Sequence, residues 1–150
     1  MSLIPEQKFN NLIDRINQLK PDNKGRWGKM TIEEMLAHCA AGVEMALGEI
    51  PSKRRVGPVR ATLAKLLFLE LFPFPKSAPT AAELHPAKKL KVTRNFEEAR
   101  KHLISILTKA NNVSFDYKFL THPIFHDLSY RQWGKLAYKH LDHHLKQFGV

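Results

Sequence analysis

Thiols are nearly missing from this chain: Cys39 is its only cysteine. A single thiol forms no internal disulfide, and a cysteine-rich zinc module is excluded. A reducing compartment is the natural setting for such composition. Long apolar runs are missing too. The greasiest stretch, residues 61–74, is broken by Lys65, Glu70 and Pro73 and cannot span a bilayer. Met1 to Asn11 carries neither a basic n-region nor an apolar segment, so no signal peptide is expected there. A cytoplasmic protein without membrane contact is the expectation. No strand-like alternation of useful length occurs, and no internal repeat does either. Acidic side chains are in short supply, 14 against 24 Lys plus Arg, which leaves a formal charge of +10.

What is present suits an ordinary globule. The chain has 150 residues, of which 43% are hydrophobic and 25% charged. One domain over residues 1–150 is expected, and at this length roughly 68–70% of the unfolded surface can be buried. The charge excess is uneven. Residues 52–101 hold 12 basic and 4 acidic side chains, concentrated around Lys53, Arg54, Arg55 and Arg60 and then Lys88, Lys89, Lys91 and Arg94. Such a patch attracts nucleic acid or an acidic partner, or is simply a solvated face. Aromatic residues are not interleaved with it, which argues against a single-strand nucleic-acid surface.

Helical periodicity runs through most of the chain. Phe9, Leu12, Ile13, Ile16 and Leu19 share one face of a first helix that Pro21 ends. A capping box, Thr31 with Glu34, opens a second helix whose stripe is Ile32, Met35, Leu36, Cys39, Val43, Ala46 and Leu47. Pro58 starts a short helix with Val59, Leu63, Leu66, Leu67 and Phe72 as its apolar positions. Pro73, Pro75, Pro79 and Pro86 then mark a long extended crossover. Asn95 with Glu98 caps another helix, and Ser129 with Gln132 caps the last, which runs to about Gly149. The expected fold is all-α: a four-helix bundle with a long crossover connection and one extra short helix.

The last helix carries the chemistry. On a wheel of about 100° per residue, His140 and His144 flank Trp133 on the inward face, about 40° apart. Imidazoles four residues apart stand on successive turns and can grip one metal ion. Leu141 follows His140 where a metalloprotease helix has its glutamate, so a zincin is excluded. The plain alternative is a pair of hydrogen-bonded core histidines. A third ligand must come from another helix, and His38, on the flank of the second helix's stripe, is the candidate. It reads equally well as a boundary histidine bonded to solvent or backbone. His143 lies at the edge of the charged side. His122 and His126 are a second four-residue pair, separated by Pro123 and therefore not on a continuous helix. His85 and His102 receive no role.

Several stretches together resemble the DinB/YfiT-like superfamily, and more closely a branch of it catalogued as a domain of unknown function. They are Trp27-Gly28-Lys29-Met30-Thr31 with Met35-Leu36-Ala37-His38-Cys39, the segment from Ser77 to Leu84, His122-Pro123-Ile124-Phe125, and Gln132 to Gly149. The pattern has glycine after its His-Pro-x-Phe segment. This chain has His126 there, a possible additional donor near the site. The resemblance implies a four-helix bundle holding a divalent metal through three histidines, which fall on His38, His140 and His144, with Gln147 at a following glutamine position. Zinc or nickel is the expected ion, with iron or manganese as alternatives. Characterised members include thiol S-transferases and a thiol-dependent isomerase, and members often pair as dimers.

The resulting expectation is a metal-dependent enzyme of small-molecule chemistry, thiol transferring or hydrolytic, acting on a substrate such as a low-molecular-weight thiol. Three neutral histidines leave a coordination position open, as catalytic sites do. Glu34 stands one turn before His38 as a conceivable base, although its cap already explains it. Trp133 walls a pocket or merely packs, and Cys39 reads as an inert buried thiol. The rival reading is a non-enzymatic basic module for nucleic acid or an acidic partner. A third is a metal that only staples the bundle.

Overall fold

The computed structural model describes residues 2–76, 84–85 and 92–150. Among them are five helices and no strand: α1 (Glu6–Gln18), α2 (Ile32–Ala46), α3 (Pro58–Ala64, continued by π-helical turns over Lys65–Leu71), α4 (Phe96–Asn111) and α5 (Tyr130–Gln147). Three of the starts are the expected capping boxes. Thr31 Oγ1 accepts the Glu34 amide at 3.2 Å while Glu34 Oε2 accepts the Thr31 amide at 2.9 Å. Asn95 with Glu98 and Ser129 with Gln132 repeat the exchange. Each such cap is worth about 1 kcal/mol, because it satisfies amides that the first turn leaves without helical partners.

Four helices close a ring. α1 packs against α4 and α5, and α2 packs against the same two, while the backbones of α1 and α2, and of α4 and α5, do not approach each other closely. The order around the bundle is therefore α1, α4, α2, α5, and consecutive helices α1 and α2 sit on a diagonal. Leu12, Ile16, Met35, Leu36, Leu103, Leu107, Leu141 and Leu145 meet inside with at most 1% exposure. Burying each contributes about 1.5–3 kcal/mol before the entropy cost of ordering it. The N-terminal segment crosses α5 at Gly134, where a Cβ would lie 2.0 Å from the Leu3 carbonyl oxygen. Only glycine permits that approach.

α3 departs from the expected pattern. Of its apolar positions, Val59 and Phe72 are 76% and 56% exposed, and Leu63 and Leu66 are exposed as well. Ala61 and Leu69 are buried in their place, and Phe68 packs on the core. The π-helical turns bond one residue further along the chain than an α-helix does, so every later side chain is rotated off the 3.6-residue pattern. α5 secures this segment. Lys139 Nζ donates to the carbonyls of Phe68, of Leu69 at 3.3 Å and of Phe72 at 2.7 Å, and Lys135 pairs with Glu70. The Lys139 ammonium thus occupies carbonyls that the end of a helix leaves free.

The crossover prolines Pro79 and Pro86, most of the Ser77 to Leu84 stretch, and Lys88, Lys89 and Lys91 of the basic region lie outside the described residues. Of that region's described members, Lys53, Arg54, Arg55, Arg60 and Arg94 are exposed, and Arg54 pairs with Asp127 at 3.1 Å. No described helix is long and apolar enough to cross a membrane.

Candidate metal centre

α2 and α5 are neighbours in the ring, and their facing sides carry three imidazoles. His38 lies two turns into α2 and is 3% exposed. His140 and His144 stand on successive turns of α5. All three pairs of rings have centroids 4.8 Å apart. His38 Nε2 is 2.9 Å from His140 Nε2, and one nitrogen from each residue lies within 4.8 Å of the others. Such a group could hold a metal ion. Gly42, one turn beyond His38, makes room for it: a Cβ there would stand 3.4 Å from His140 Cε1.

Backbone carbonyls and one amide orient two of the rings. His38 Nδ1–H donates to the Leu84 carbonyl at 2.8 Å, which leaves the Nε2 lone pair facing the cluster. His144 Nδ1–H donates to Gln147 Oε1 at 2.8 Å, and the Gln147 amide nitrogen donates in turn to the Trp27 carbonyl at 2.7 Å. That second bond sets which way the amide points, so the oxygen must face His144. Gly28 belongs to the same device. It adopts φ +78°, and a Cβ there would come within 2.7 Å of Gln147 Nε2.

Burial keeps these rings neutral. It holds His140 well below the ordinary histidine range, with the neighbouring His144 and His38 adding to the effect. It lowers His144 to about 3, against a smaller opposing contribution from Gln147. His38 is lowered by burial too, with its bond to Leu84 opposing the shift. Neutral imidazole is the ligating form. The donor set fits a divalent ion: tetrahedral zinc with nitrogens at about 2.0–2.1 Å separates them by about 3.4 Å. The observed 2.9 Å for the closest pair and the 4.8 Å limit for the group bracket that spacing.

The trio lines a cavity of about 350 Å³. Its other walls are mainly apolar, with Trp27, Phe68, Phe74, Phe119 and Trp133 prominent. Trp133 thus lines the cavity as well as packing on the core. Lys76 is the one charged residue among the described lining, its ammonium 4.8 Å from the centre of the Trp27 ring. Size and lining match small-molecule sites, which are mostly apolar with a few convergent polar groups.

The remaining expectations divide. Glu34 is a cap, and Cys39 is 1% exposed with burial pushing its thiol up, so neither serves the site. His143 lines the cavity, edge-on to Trp27 and Phe74, outside the trio. His126, offered as an additional donor by its place in the chain, stands outside the trio. Its Nε2–H donates to the Val56 carbonyl at 2.7 Å, and the residue does not line the cavity. Its φ of +56° lies in the left-handed region, which glycine adopts more readily than other residues. His102 bonds Glu44 at 2.6 Å. His122, named for its spacing to His126 and as the first residue of the His122-Pro123-Ile124-Phe125 stretch, lines the cavity. The supporting carbonyls of Leu84 and Trp27 had no sequence signal, since every residue has a carbonyl.

No curated protein matches this chain, and no solved structure does. A family model described as a protein of unknown function, DUF1569, matches residues 6–149. That span takes in all five helices and the three clustered histidines, and the chain belongs to the DUF1569 family.

Proposed function

We propose that this protein is a divalent-metal-dependent enzyme acting on a small molecule, by thiol transfer or hydrolysis, and that its bundle is DinB/YfiT-like. One observation carries the reading: three neutral imidazoles converge on the wall of an apolar cavity, and two of them have their outer nitrogens engaged. His38, His140 and His144 are the ligands. No fourth histidine, cysteine or carboxylate joins the cluster among the described residues. Three protein ligands leave room for a ligand from the cavity, as in catalytic sites. Zinc or nickel suits an all-imidazole set, with iron or manganese as alternatives.

When bound, the ion supplies a Lewis acid that lowers the pKa of a water or thiol nucleophile. The chain's own residues do the rest. Leu84 and Gln147 hold His38 and His144 in the ligating tautomer. Trp133, Phe119 and Phe74 exclude bulk water from the space beside them.

Protein purified without a nickel column should contain near-stoichiometric metal by elemental analysis; trace occupancy would sink the site. Metal-loaded protein screened against thiol conjugates and simple esters should show turnover that a chelator abolishes. A chelator that lowers the melting temperature, with no turnover found before or after, would indicate a purely structural ion. Gln147→Ala removes the support under His144 and should weaken metal affinity about 10–100-fold in a competition titration. Unchanged affinity would show that the amide has no part in the centre.

A further inference from the structure

The loop between α4 and α5 closes on itself at residues 122 and 126. His122 and His126 exchange backbone amide-to-carbonyl bonds, both at 3.0 Å. Inside this loop the amides of Ile124 and Phe125 both donate to His122 Nδ1, each at 3.1 Å. A nitrogen that accepts two N–H groups cannot carry a proton, so the neutral ring has its proton on Nε2. The ring lines the cavity, edge-on to Trp133 at 5.6 Å between centroids. No described residue accepts from Nε2. Burial holds this imidazole down to about 4, so it is neutral near pH 7 and the tautomer persists.

We infer that His122 is a fixed hydrogen-bond donor of the cavity, and that the ligand is an apolar molecule bearing an acceptor oxygen, specifically a carboxylate, which His122 Nε2–H holds. The charge of the lining agrees. Lys76 is its one charged residue and no Asp or Glu contributes to it among the described residues, so an anion meets attraction and no repulsion. The apolar body follows from the aromatic walls, and its size from the cavity of about 350 Å³. A neutral imidazole suits this task because it orients an oxygen without offering it a proton. The inference rests on the proposed function only in taking this cavity as the ligand site.

Benzoate is a suitable probe, with a ring for the walls and a carboxylate for the donor. The test uses ¹⁵N-labelled protein, both chelator-treated and zinc-loaded, with imidazole nitrogen spectra and a benzoate titration. The His122 ring should show the Nε2–H tautomer at pH 7, and benzoate should shift its signals. His122→Asn is the informative variant. The asparagine Oδ1 takes the place of Nδ1 and still accepts the two loop amides, while the Nε2 donor is gone. It should weaken benzoate binding about tenfold or more, as loss of a hydrogen bond to a charged group does, in both zinc-loaded and chelator-treated protein. Zinc stoichiometry should not change. An Nδ1–H tautomer, wild-type benzoate affinity in the variant, or no benzoate binding by the wild type at millimolar concentration would each overturn the inference. The tautomer measurement needs no variant and stands if His122→Asn fails to fold. Protein that holds no zinc yet binds benzoate through His122 would refute the metal centre and support this donor. Zinc binding with benzoate indifferent to His122 would do the reverse.

Discussion

His140→Ala is expected to yield folded protein that no longer retains a divalent ion. The substitution removes the ring whose Nε2 stands 2.9 Å from His38 Nε2 and leaves a two-histidine remnant. Tetrahedral sites hold zinc with about 10–16 kcal/mol shared among four ligands, so one ligand is worth roughly 3 kcal/mol, a loss of 100-fold or more in affinity. The fold should tolerate the change. His140 borders an existing cavity, and Leu136, Leu141 and Leu145 around it still anchor α5. Elemental analysis beside far-ultraviolet circular dichroism reads both halves. Metal retained at wild-type stoichiometry would show that the ion sits elsewhere. Lost helicity would show that the bundle depends on it.

Mild acid should destabilise the metal-free protein well before its carboxylates titrate. Burial lowers His144 to about 3 and His122 to about 4, against about 6.5 for an unfolded histidine. The unfolded chain therefore takes up protons first as the pH drops. The stability these groups leave intact above pH 6.5 is lost progressively from there down to their folded values. Each costs at most about 1.4 kcal/mol per pH unit in that window. His38, His140 and His143 are shifted in the same direction. The lowered carboxyl of Asp142, bonded to Lys146 and Arg15, starts to matter only as the pH falls to the ordinary carboxylate range, so the histidines act first. Melting temperatures of chelator-treated protein at pH 7, 6 and 5 should fall steeply at each step. A flat profile would mean that the histidines are more solvated than the cavity implies.

Both expectations concern histidines, and their legibility in the chain differs. The α5 pair could be read because helical periodicity is local: a Trp133-centred face places His140 and His144 inward whatever α5 packs on. His38 could be named but not placed. Its partnership with α5 depends on the ring order, in which α2 meets α5 across 102 positions of chain. His122 could be named from its spacing to His126, but not its inferred role, which follows from two loop amides that fix a tautomer; neither spacing nor composition reports that. In α3 the π-helical stretch from Lys65 shifts the register that an α-helical wheel assumes, which bears on Leu66 and Phe72 but not on Val59 and Leu63, which precede it.

The amino-acid order alone settled where α2, α4 and α5 begin and which side of each of the four bundle helices is apolar, since capping boxes and apolar stripes act within a few residues. It also picked out the three imidazoles. Packing settled what makes them a centre: the Leu84 carbonyl against His38 from 46 positions away, and the Trp27 carbonyl behind Gln147 from 120. Backbone groups are chemically alike at every position, so a folded chain is needed to show which of them a buried ring will meet.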